Sequence, residues 1–393
     1  MKRDDGKTAV FDARWIKREP SGIGVYAEAL ATRLPRLLPD WKFVFLLRSD
    51  ASDALESRLA AAAAPGGGGI VRCRKGPLSP SGAIALARFL RRSRAAVYHT
   101  PNFMIPTFGL FGWSGRIFAT IHDLIPLVVP DYAPHSRTSR MKGAYKRCLR
   151  STALAADTLF TVSETSRRDI VRELSLPEKA AKRVVAVHNG VAAGFFAAGL
   201  APGKKARAGG DERVLLYVGR RDPYKNVPLL VEAFAALRAR APWPVRLVLA
   251  GSPDPRYREP EELARALGVA DAVSSTGPLG GDDLVALYRS ADLLVHPSRY
   301  EGFGLQIAEA FASGLPVVCS DGGSIPEIAG DAARIVPLPA DAATWARALH
   351  DTLEDEAALA ALRKAGLARA PLFSWDRAAA AIAQEYLSPA QDR

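Results

Sequence analysis

Short runs of β-branched and other apolar residues alternate along the chain with longer segments whose apolar residues recur at helical spacing. The strand-like runs of the first half are TAVFDARWI, KFVFLL, AVYHT, RIFATIHDL, TLFTVS and RVVAVHNGV, and those of the second half are RVLLYVG, VRLVLAG, AVSSTG, DLLVHPS, PVVCSD and ARIVPL. Helix-like segments such as GVYAEALATRLPRLL and VPLLVEAFAALRARA separate them. This alternation predicts an α/β protein with two doubly wound, Rossmann-like domains built on mostly parallel sheets.

The domain boundary is predicted from composition. Residues 192–213, AAGFFAAGLAPGKKARAGGDER, are rich in Gly, Ala and Lys between two strand-like runs and are typical of a linker. We therefore predict an N-terminal domain over 1–198 and a C-terminal domain over 199–373. A second glycine-rich segment, AAAAPGGGGI near residues 61–70, is interpreted as a surface loop. Ligands bind outside the carboxyl ends of the strands in such sheets, so we expect a site in a central cleft between the domains.

Composition narrows the class of protein. The 393 residues are 48% hydrophobic and 24% charged, which excludes a disordered chain, a fibrous protein and a small disulfide scaffold. Three cysteines are too few for a disulfide framework and fit a reducing cytoplasm. The start, MKRDDGKTAV, lacks the pattern of a secretory signal, and no run approaches the ~18–20 apolar residues of a membrane span. We predict a cytoplasmic protein, soluble or peripheral to a membrane.

The net charge of +12 is unevenly distributed. Residues 1–198 hold 31 Lys and Arg against 16 Asp and Glu, a net charge of +15, whereas residues 199–393 hold 22 against 25, a net charge of −3. A basic first half suits an anionic partner such as membrane headgroups, a phosphorylated acceptor or nucleic acid. A general bias towards arginine for solubility is an equally good interpretation.

Candidate chemistry is densest in HPSRYEGFGLQIAEAFASGLPVV, residues 296–318. A strand ends there in a polar, glycine-bracketed turn, and a helix begins near Leu305. Backbone amides at such a helix start bind phosphate or sugar hydroxyls. Glu301 lies in the turn and Glu309 lies eight residues on, about two helical turns along the same face. The competing interpretation is a capping Glu301 and a solvated Glu309.

Two long segments resemble a known family. ERVLLYVGRRDPYKNVPLLVEAF, followed by HPSRYEGFGLQIAEAFASGLPVVCSDGGSIPEIAG, resembles the retaining nucleotide-sugar glycosyltransferases of family 4, which have the two-domain GT-B fold. SGIGVY, YHTPNF, TIHDLIPLVVP, TVSETSRRDIV and HNGV resemble the mannosyltransferase-like members of that family in bacterial surface-polysaccharide synthesis. The resemblance implies a hexosyltransferase that moves mannose or a related sugar from a GDP-sugar to a glycan in polysaccharide or lipopolysaccharide synthesis. A lipid-diphosphate-linked glycan as the acceptor would account for the basic charge of the first domain.

In the second domain the resemblance implies a donor site. Glu301 would hold the hydroxyls of the donor sugar, and Glu309 would accept hydrogen bonds from the ribose. Arg220 and Lys225 would neutralise the diphosphate, because fixed cations stabilise the charge that grows on the leaving group. The backbone groups that would meet the donor are those of Gly302, Phe303, Gly304 and Leu305 at the sugar and diphosphate, and those of Gly277 and Leu279 at the base.

In the first domain the resemblance places Gly22 and Gly24 near the donor phosphates. Read alone, these glycines also match the dinucleotide fingerprint G-x-G-x-x-A. The polar insertion at residues 17–21 removes the tight strand-to-helix turn of that fingerprint, which argues against a hydride-transfer enzyme.

Four histidines at strand ends are candidates for a role in the site. The resemblance implies that His122, in TIHD, lies by the transferred sugar as a catalytic residue that orients the sugar or assists proton transfer. His99 is a weaker candidate, while His188 and His296 are interpreted as structural.

No motif for a metal or cofactor is present. The chain has no H-E-x-x-H, no paired C-x-x-C, no Walker motif and no Asp-x-Asp. We expect no cofactor and no metal, with the nucleotide-sugar as a substrate. No carboxylate pair indicates a double displacement, so front-face attack is favoured, and retention of configuration is implied by the family.

Two segments of the first half are basic and amphipathic: RTSRMKGAYKRCLR (137–150) and ALARFLRRSRAAV (85–97). They are predicted either to bind anionic lipid headgroups on the cytoplasmic face of the inner membrane or to form a solvated basic face. Similar transferases send a C-terminal helix, here 374–393, back to the first domain.

Three other activities stay open. They are a UDP-sugar-dependent transferase of the same fold, a GT-B-shaped nucleotide-sugar epimerase or hydrolase, and a nucleic-acid binder. The two glutamates of the expected site argue against nucleic acid.

Overall fold

The computed structural model describes residues 7–17, 21–77, 79–105, 113–130, 132, 141–196, 212–252, 257 and 259–389. Their chain folds into two compact units. The first unit takes in Met1–Leu124, Lys142–Gly190 and Trp375–Arg393, and the second takes in Ile125–Met141 and Val191–Ser374.

The first unit contains a seven-stranded parallel sheet. Its strand order is β3-β2-β1-β4-β5-β6-β7, so the order reverses between the neighbours β1 and β4. The strands are β1 Thr8–Asp12, β2 Lys42–Arg48, β3 Gly69–Cys73, β4 Val97–Thr100, β5 Arg116–Thr120, β6 Thr158–Thr161 and β7 Val184–Ala186.

The second unit repeats this arrangement with six parallel strands in the order β10-β9-β8-β11-β12-β13. Here the order reverses between β8 and β11, which pair with Leu293 opposite Leu215. The strands are β8 Arg213–Val218, β9 Val245–Ala250, β10 Val273–Gly277, β11 Leu293–His296, β12 Val317–Ser320 and β13 Arg334–Val336. Both orders are those of a doubly wound Rossmann-like sheet, which confirms the predicted α/β architecture.

Helices connect the strands of both units. In chain order the α-helices of the described residues are α1 Gly22–Leu37, α2 Asp53–Ala63, α3 Pro80–Ser93, α4 Ile125–Val128, α5 Lys142–Ala155, α6 Glu164–Glu173, α7 Glu178–Ala181, α8 Val227–Arg238, α9 Glu259–Ala266, α10 Gly281–Ser290, α11 Leu305–Ala312, α12 Ile325–Ala329, α13 Ala342–Glu354, α14 Glu356–Arg369 and α15 Trp375–Leu387. Across those residues, no helix is long and apolar enough to cross a membrane.

The central strands are buried on both faces, which explains their nearly continuous apolar sequences. In β1, Val10 and Phe11 point to opposite faces and both are fully buried. Phe11 packs with Phe45 and Phe118 in one core cluster, while Val10 packs with Leu46 in another. The second unit has its own core, which includes Leu215, Leu247, Leu293, Phe234 and Trp345.

Strand β3 was not predicted from the sequence, because its first residues, Gly69 and Ile70, belong to the glycine-rich segment that was interpreted as a surface loop. The glycine run before it has a steric reason. A Cβ on Gly68 would lie 2.0 Å from the Phe43 carbonyl oxygen, so only glycine allows the chain to approach β2 this closely. The segment near residues 61–70, predicted as a surface loop, instead contains the end of α2, a 3-10 turn over Ala64–Gly66 and the first residues of β3.

The C-terminal helix α15 returns to the first unit. Its Trp375, Ile382 and Tyr386 belong to the same core cluster as Phe11. The Tyr386 hydroxyl lies 2.8 Å from His99 Nδ1, and the Arg116 guanidinium donates to the Tyr386 carbonyl. These contacts hold the last described helix on the unit in which the chain begins.

The boundaries of the two compact units differ from those of the predicted domains 1–198 and 199–373. The first unit stops at Gly190 and omits Ile125–Met141. Ile125 and Val129 cluster with Tyr224, and their apolar packing explains why the segment after β5 belongs to the second unit. Most of the predicted linker, 197–211, lies outside the described residues.

Candidate active site

The loop between β11 and α11 lies at the strand-order reversal of the second unit. β11 ends at His296, and α11 begins at Leu305 after Gly304, whose φ of +86° lies in the left-handed region that favours glycine. The backbone of Gly302 and Phe303 precedes that turn, and both residues are buried. The predicted glycine-bracketed turn at a helix start is therefore present.

Glu301 is the buried carboxylate of this loop. Lys225 Nζ lies 2.6 Å from Glu301 Oε1, and His296 Nε2 lies 3.0 Å from the same oxygen. Glu301 Oε2 accepts no hydrogen bond from the residues that the structure describes. One carboxylate oxygen is thus fixed by two donors, while the other can accept hydrogen bonds from a ligand.

The charge of Glu301 follows from these contacts. Burial alone would raise the pKa of its carboxyl, but the charge of Lys225 and the hydrogen bond from His296 hold that pKa well below its ordinary value. Glu301 is therefore ionised at neutral pH and, next to Lys225, forms a buried ion pair.

Backbone contacts fix the position of Glu301. Its carbonyl oxygen accepts hydrogen bonds from the amide and the hydroxyl of Ser324, both at 3.0 Å. Gly323, with φ of +64°, forms an isolated parallel β-bridge with Glu301, and a Cβ on Gly323 would lie 2.4 Å from the backbone carbonyl oxygen of Glu301. The segment after β12 therefore clamps the loop, and glycine is required for the close approach.

The predicted cations follow β8, the neighbour of β11. Lys225 ends a 3-10 turn, Pro223–Lys225, and its Nζ lies 5.0 Å from the centre of the Tyr224 ring. Arg220 is 65% exposed and pairs with the buried Asp222 at 2.8 Å. Arg299 donates its amide to the Tyr224 carbonyl at 2.7 Å, which ties this turn to the Glu301 loop. The structure brings Lys225 and Glu301 together and leaves Arg220 accessible.

Glu309 lies on α11, and its Oε2 accepts a hydrogen bond of 2.6 Å from the Tyr288 hydroxyl. Burial raises the pKa of Glu309 to about 7, and the hydrogen bond from Tyr288 opposes this shift. Tyr288 is itself fully buried and packs edge-on against Phe195. Glu309 is therefore a half-buried carboxyl that titrates near neutral pH.

The weaker base-binding candidates lie at the end of β10. Gly277 has φ of +72°, and its carbonyl accepts the Gly251 amide at 3.0 Å. Leu279 is half-buried two residues further on. A Cβ on Gly251 would lie 2.2 Å from the Gly219 carbonyl oxygen, so the ends of β8 and β9 approach closely.

In the first unit, Gly22 and Gly24 lie in the first turn of α1. Ser21 caps the helix by accepting the Gly24 amide at 3.1 Å. A Cβ on Gly22 would meet nothing within 4 Å, so its side faces open space.

His122 follows β5, and its Nε2 lies 3.0 Å from the Pro101 carbonyl oxygen. That contact assigns the proton to Nε2 and leaves Nδ1 as an acceptor. Burial lowers the pKa of His122 to about 4, although the Pro101 carbonyl raises it. The ring packs edge-on against Tyr26 at 4.9 Å. A neutral imidazole with an open acceptor suits the orientation of a hydroxyl better than acid catalysis.

His99 is structural in its surroundings. It is fully buried among Phe11, Phe118, Phe160 and Tyr386, and burial lowers its pKa to about 3.

Sequence reasoning missed two residues of the site. His296 was interpreted as structural, yet its ring donates to Glu301, and Tyr288 was not singled out, yet it holds Glu309. The position of His296 at a strand end, five residues before Glu301, was the only signal.

Within the described ranges, no group of three or more His, Cys, Asp or Glu side chains could hold a metal ion.

Comparisons with known proteins identify the family of the chain. The family model described as "Glycosyl transferases group 1" matches residues 203–369, and the model "Glycosyltransferase Family 4" matches residues 20–194. The O-antigen chain mannosyltransferase B of Escherichia coli is 31% identical over 295 residues, which cover 73% of each chain.

Solved structures show the same fold. The sucrose-phosphate synthase of Thermosynechococcus elongatus superposes with a TM-score of 0.75 at 22% identity, over 97% of this chain and 98% of the other. Anabaena Alr3699/HepE in complex with UDP and glucose has a TM-score of 0.73 at 17% identity, over 98% of this chain and 100% of the other. These likenesses confirm the GT-B fold class, and with the mannosyltransferase relative they establish that the chain belongs to glycosyltransferase family 4 and is a hexosyltransferase.

Proposed function

We propose that this enzyme transfers mannose or a related hexose from a GDP-sugar to a lipid-linked glycan in the synthesis of a surface polysaccharide or lipopolysaccharide. The observation that carries the transfer reaction is the buried Lys225–Glu301 pair with its open Glu301 Oε2. The choice of mannose is supported by the 31% identity to an O-antigen mannosyltransferase.

In the proposed donor complex, Glu301 Oε2 accepts hydrogen bonds from the sugar hydroxyls. Lys225 and Arg220 face the diphosphate, with the amides at the start of α11 as further donors. Glu309 accepts from the ribose hydroxyls, and the backbone at Gly277 and Leu279 meets the base. Arg220 is suited to this role because its side chain is 65% exposed beside Asp222.

The proposed reaction is a front-face substitution without a metal or cofactor. The bond from the anomeric carbon to the diphosphate breaks, and its electron pair leaves with the diphosphate. The acceptor hydroxyl attacks the same face through an oxocarbenium-like state, and its proton passes to a diphosphate oxygen, so configuration is retained. Fixed cations favour this path because they stabilise the charge of the leaving group without reorganisation.

His122 is proposed to orient a hydroxyl of the sugar through Nδ1. Its pKa of about 4 supports a neutral ring at physiological pH. Gly22 and Gly24 are proposed to lie near the donor phosphates at the start of α1. At Gly22 the missing side chain leaves open space for their approach, whereas a Cβ on Gly24 would meet Ser21 and Trp15.

A UDP-sugar is the second candidate donor. It is favoured by the fold likeness to Alr3699/HepE, whose structure contains UDP and glucose. Both donors share the diphosphate and ribose contacts above, so only the base and the sugar distinguish them.

The acceptor proposal includes a place on the cytoplasmic face of the inner membrane. Helix α5 exposes Lys146 and Arg147 and follows Met141, which is 61% exposed. Helix α3 exposes Arg88 and Ile84, the latter to 52%. Such faces bind anionic lipid. Co-sedimentation with liposomes should rise with anionic lipid and fall with salt, and sedimentation that is insensitive to both would remove the electrostatic basis.

The first experiment is a calorimetric and thermal-shift screen of GDP-, UDP-, dTDP- and ADP-sugars against wild type and Glu301→Gln. One nucleotide series should bind saturably, and Glu301→Gln should weaken the intact nucleotide-sugar about tenfold or more while affecting the free nucleoside diphosphate less. The matched control is Lys364→Ala, an exposed lysine of α14, which should bind as wild type.

Product analysis without acceptor separates the remaining enzyme classes. A transferase leaves the nucleotide-sugar largely intact, an epimerase yields a second sugar, and a hydrolase releases free sugar at the full rate. Folded protein that binds none of the four series would contradict the proposed donor site.

A further inference from the structure

The first unit contains a cavity of about 320 Å³ between α3 and the strands β2 and β3. Its wall is apolar over most of its extent. The apolar side chains are those of Leu46, Val71, Ala85, Leu86 and Phe89. The volume is in the range of small-molecule sites.

A buried cation forms part of the wall. Arg14 is 4% exposed, and it donates from Nε and Nη2 to the two oxygens of Asp12, each at 2.7 Å. Its Nη1 reaches only the Lys75 carbonyl, at 3.5 Å. Each terminal nitrogen therefore keeps an N–H without an acceptor among the described residues, and these donors remain for a ligand.

Two more cations lie at the rim. Arg74 and Lys75 line the cavity, are exposed, and form no ion pair with any carboxylate in the described part of the chain. Arg72, also in the wall, differs because it pairs with Glu56. The cavity thus combines an apolar interior with unpaired positive charge on one side.

We propose that this cavity binds an anionic amphiphile, a phosphate ester of a long apolar alcohol. The apolar chain enters between α3 and the sheet, and the phosphate meets Arg14, Arg74 and Lys75. This complementarity is the reason for the choice, because apolar burial and charge-assisted hydrogen bonds would be gained together. Its role as the site for the lipid phosphate of the acceptor rests on the proposed function.

Calorimetry with decyl phosphate, below its micelle concentration, tests the proposal. Decanol and inorganic phosphate are the comparison ligands, since they carry the chain and the charge separately. We expect saturable 1:1 binding of decyl phosphate and at least about tenfold weaker binding of either comparison ligand. Equal affinity for decanol or for phosphate alone would overturn the combined site, as would the absence of decyl phosphate binding.

Variants locate the binding. Ala85 is an exposed residue of α3 that lines the cavity, so Ala85→Phe should fill the cavity and abolish decyl phosphate binding. The double variant Arg74→Glu with Lys75→Glu should weaken that binding about tenfold or more. The matched control is Arg91→Glu with Arg92→Glu, exposed residues of α3 that do not line the cavity. Binding that survives Ala85→Phe, or that falls equally in the control, would overturn the location.

Decyl phosphate binding and nucleotide-sugar binding can be measured separately on the same protein. Nucleotide-sugar binding by the same Ala85→Phe protein checks that it is folded and tests the second unit separately. Loss of decyl phosphate binding with intact donor binding is the expected result, whereas failure of donor binding in wild type would count against the proposed function and leave the cavity proposal standing.

Discussion

Each unit has a buried, ion-paired carboxylate beside the reversal in its strand order: Asp12 ends β1 in the first unit, and Glu301 follows β11 in the second. The two carboxylates differ in how their oxygens are used. In the first unit, Asp12 accepts from Arg14 on both oxygens and from the Tyr98 hydroxyl at 2.8 Å. In the second unit, Glu301 accepts from Lys225 and His296 on Oε1 alone. A carboxylate whose oxygens are all occupied can only support the fold, while a half-occupied one can also bind a ligand.

The two ion pairs also differ in range along the chain. Arg14 lies two residues from Asp12, so the pair forms within one turn. Lys225 lies 76 residues from Glu301, and the pair forms only when β8 and β11 are neighbours. The local pair needs little of the fold, whereas the distant pair depends on the strand-order reversal where ligands bind in such sheets.

The largest expected effect is that of Lys225→Met. The change leaves Glu301 buried without its cation, and breaking a buried pair costs about 3–5 kcal/mol of folding free energy. Activity should fall at least about 100-fold, because a cation at the diphosphate is lost as well. Chemical denaturation and a transfer assay with the donor found by calorimetry measure the two effects.

The double variant Lys225→Met with Glu301→Gln separates stability from function. It removes both charges, so most of the lost stability should return while activity stays low. Activity that recovered together with stability would show that the Lys225–Glu301 pair serves the fold alone.

The next prediction compares two donors to buried carboxylates. Tyr98→Phe removes a hydrogen bond from Asp12 and should cost about 1–3 kcal/mol of stability without changing donor affinity. His296→Leu removes one from Glu301 and should weaken nucleotide-sugar binding about 10- to 100-fold. His296→Gln, which retains an N–H donor, should recover part of that affinity.

Denaturation curves and calorimetry on the three proteins measure these effects. Equal loss of donor affinity in Tyr98→Phe and His296→Leu, after correction for the unfolded fraction, would contradict the distinction between the two carboxylates.

The fold could be predicted to the level of both sheets because parallel strands are apolar on both faces and read as continuous runs. Strand β3 was missed because it begins at Gly69, inside the glycine-rich segment that was interpreted as a surface loop. The segment after β5 belongs to a different compact unit than the predicted domain 1–198 would suggest, because its apolar pattern does not show that Tyr224 is its packing partner.

The site could be predicted only where residues lie in one motif. Lys225 and Glu301 each lie in a recognisable segment, and the resemblance to family 4 predicted that both belong to one donor site. The contact of His296 with Glu301 depends on how the loop turns back on its own strand, and that of Tyr288 with Glu309 joins α10 to α11. Such side-chain pairings follow from packing in three dimensions, which periodicity does not encode.

The smallest expected effect concerns the other carboxyl of the second unit. Burial raises the pKa of Glu309 to about 7 from an ordinary value of 4.5, so between these values the folded protein holds a proton that the unfolded chain releases. Glu309 therefore stabilises the fold fully below pH 4.5, and its contribution is lost as the pH rises through 7. Glu309→Gln should remove this decline from the curve of stability against pH.

Donor binding gives the same residue a second readout. If the ionised Glu309 accepts the ribose hydroxyls, nucleotide-sugar affinity should rise severalfold, at most about tenfold, between pH 6 and pH 8 and release a proton. Calorimetry in buffers of different ionisation enthalpy measures that release. In Glu309→Gln the affinity should be lower and independent of pH over this range, whereas Glu301, ionised throughout, should contribute no such dependence. A wild-type affinity that is flat from pH 6 to pH 8 would mean that Glu309 does not meet the ribose and, like Asp12, serves only the fold.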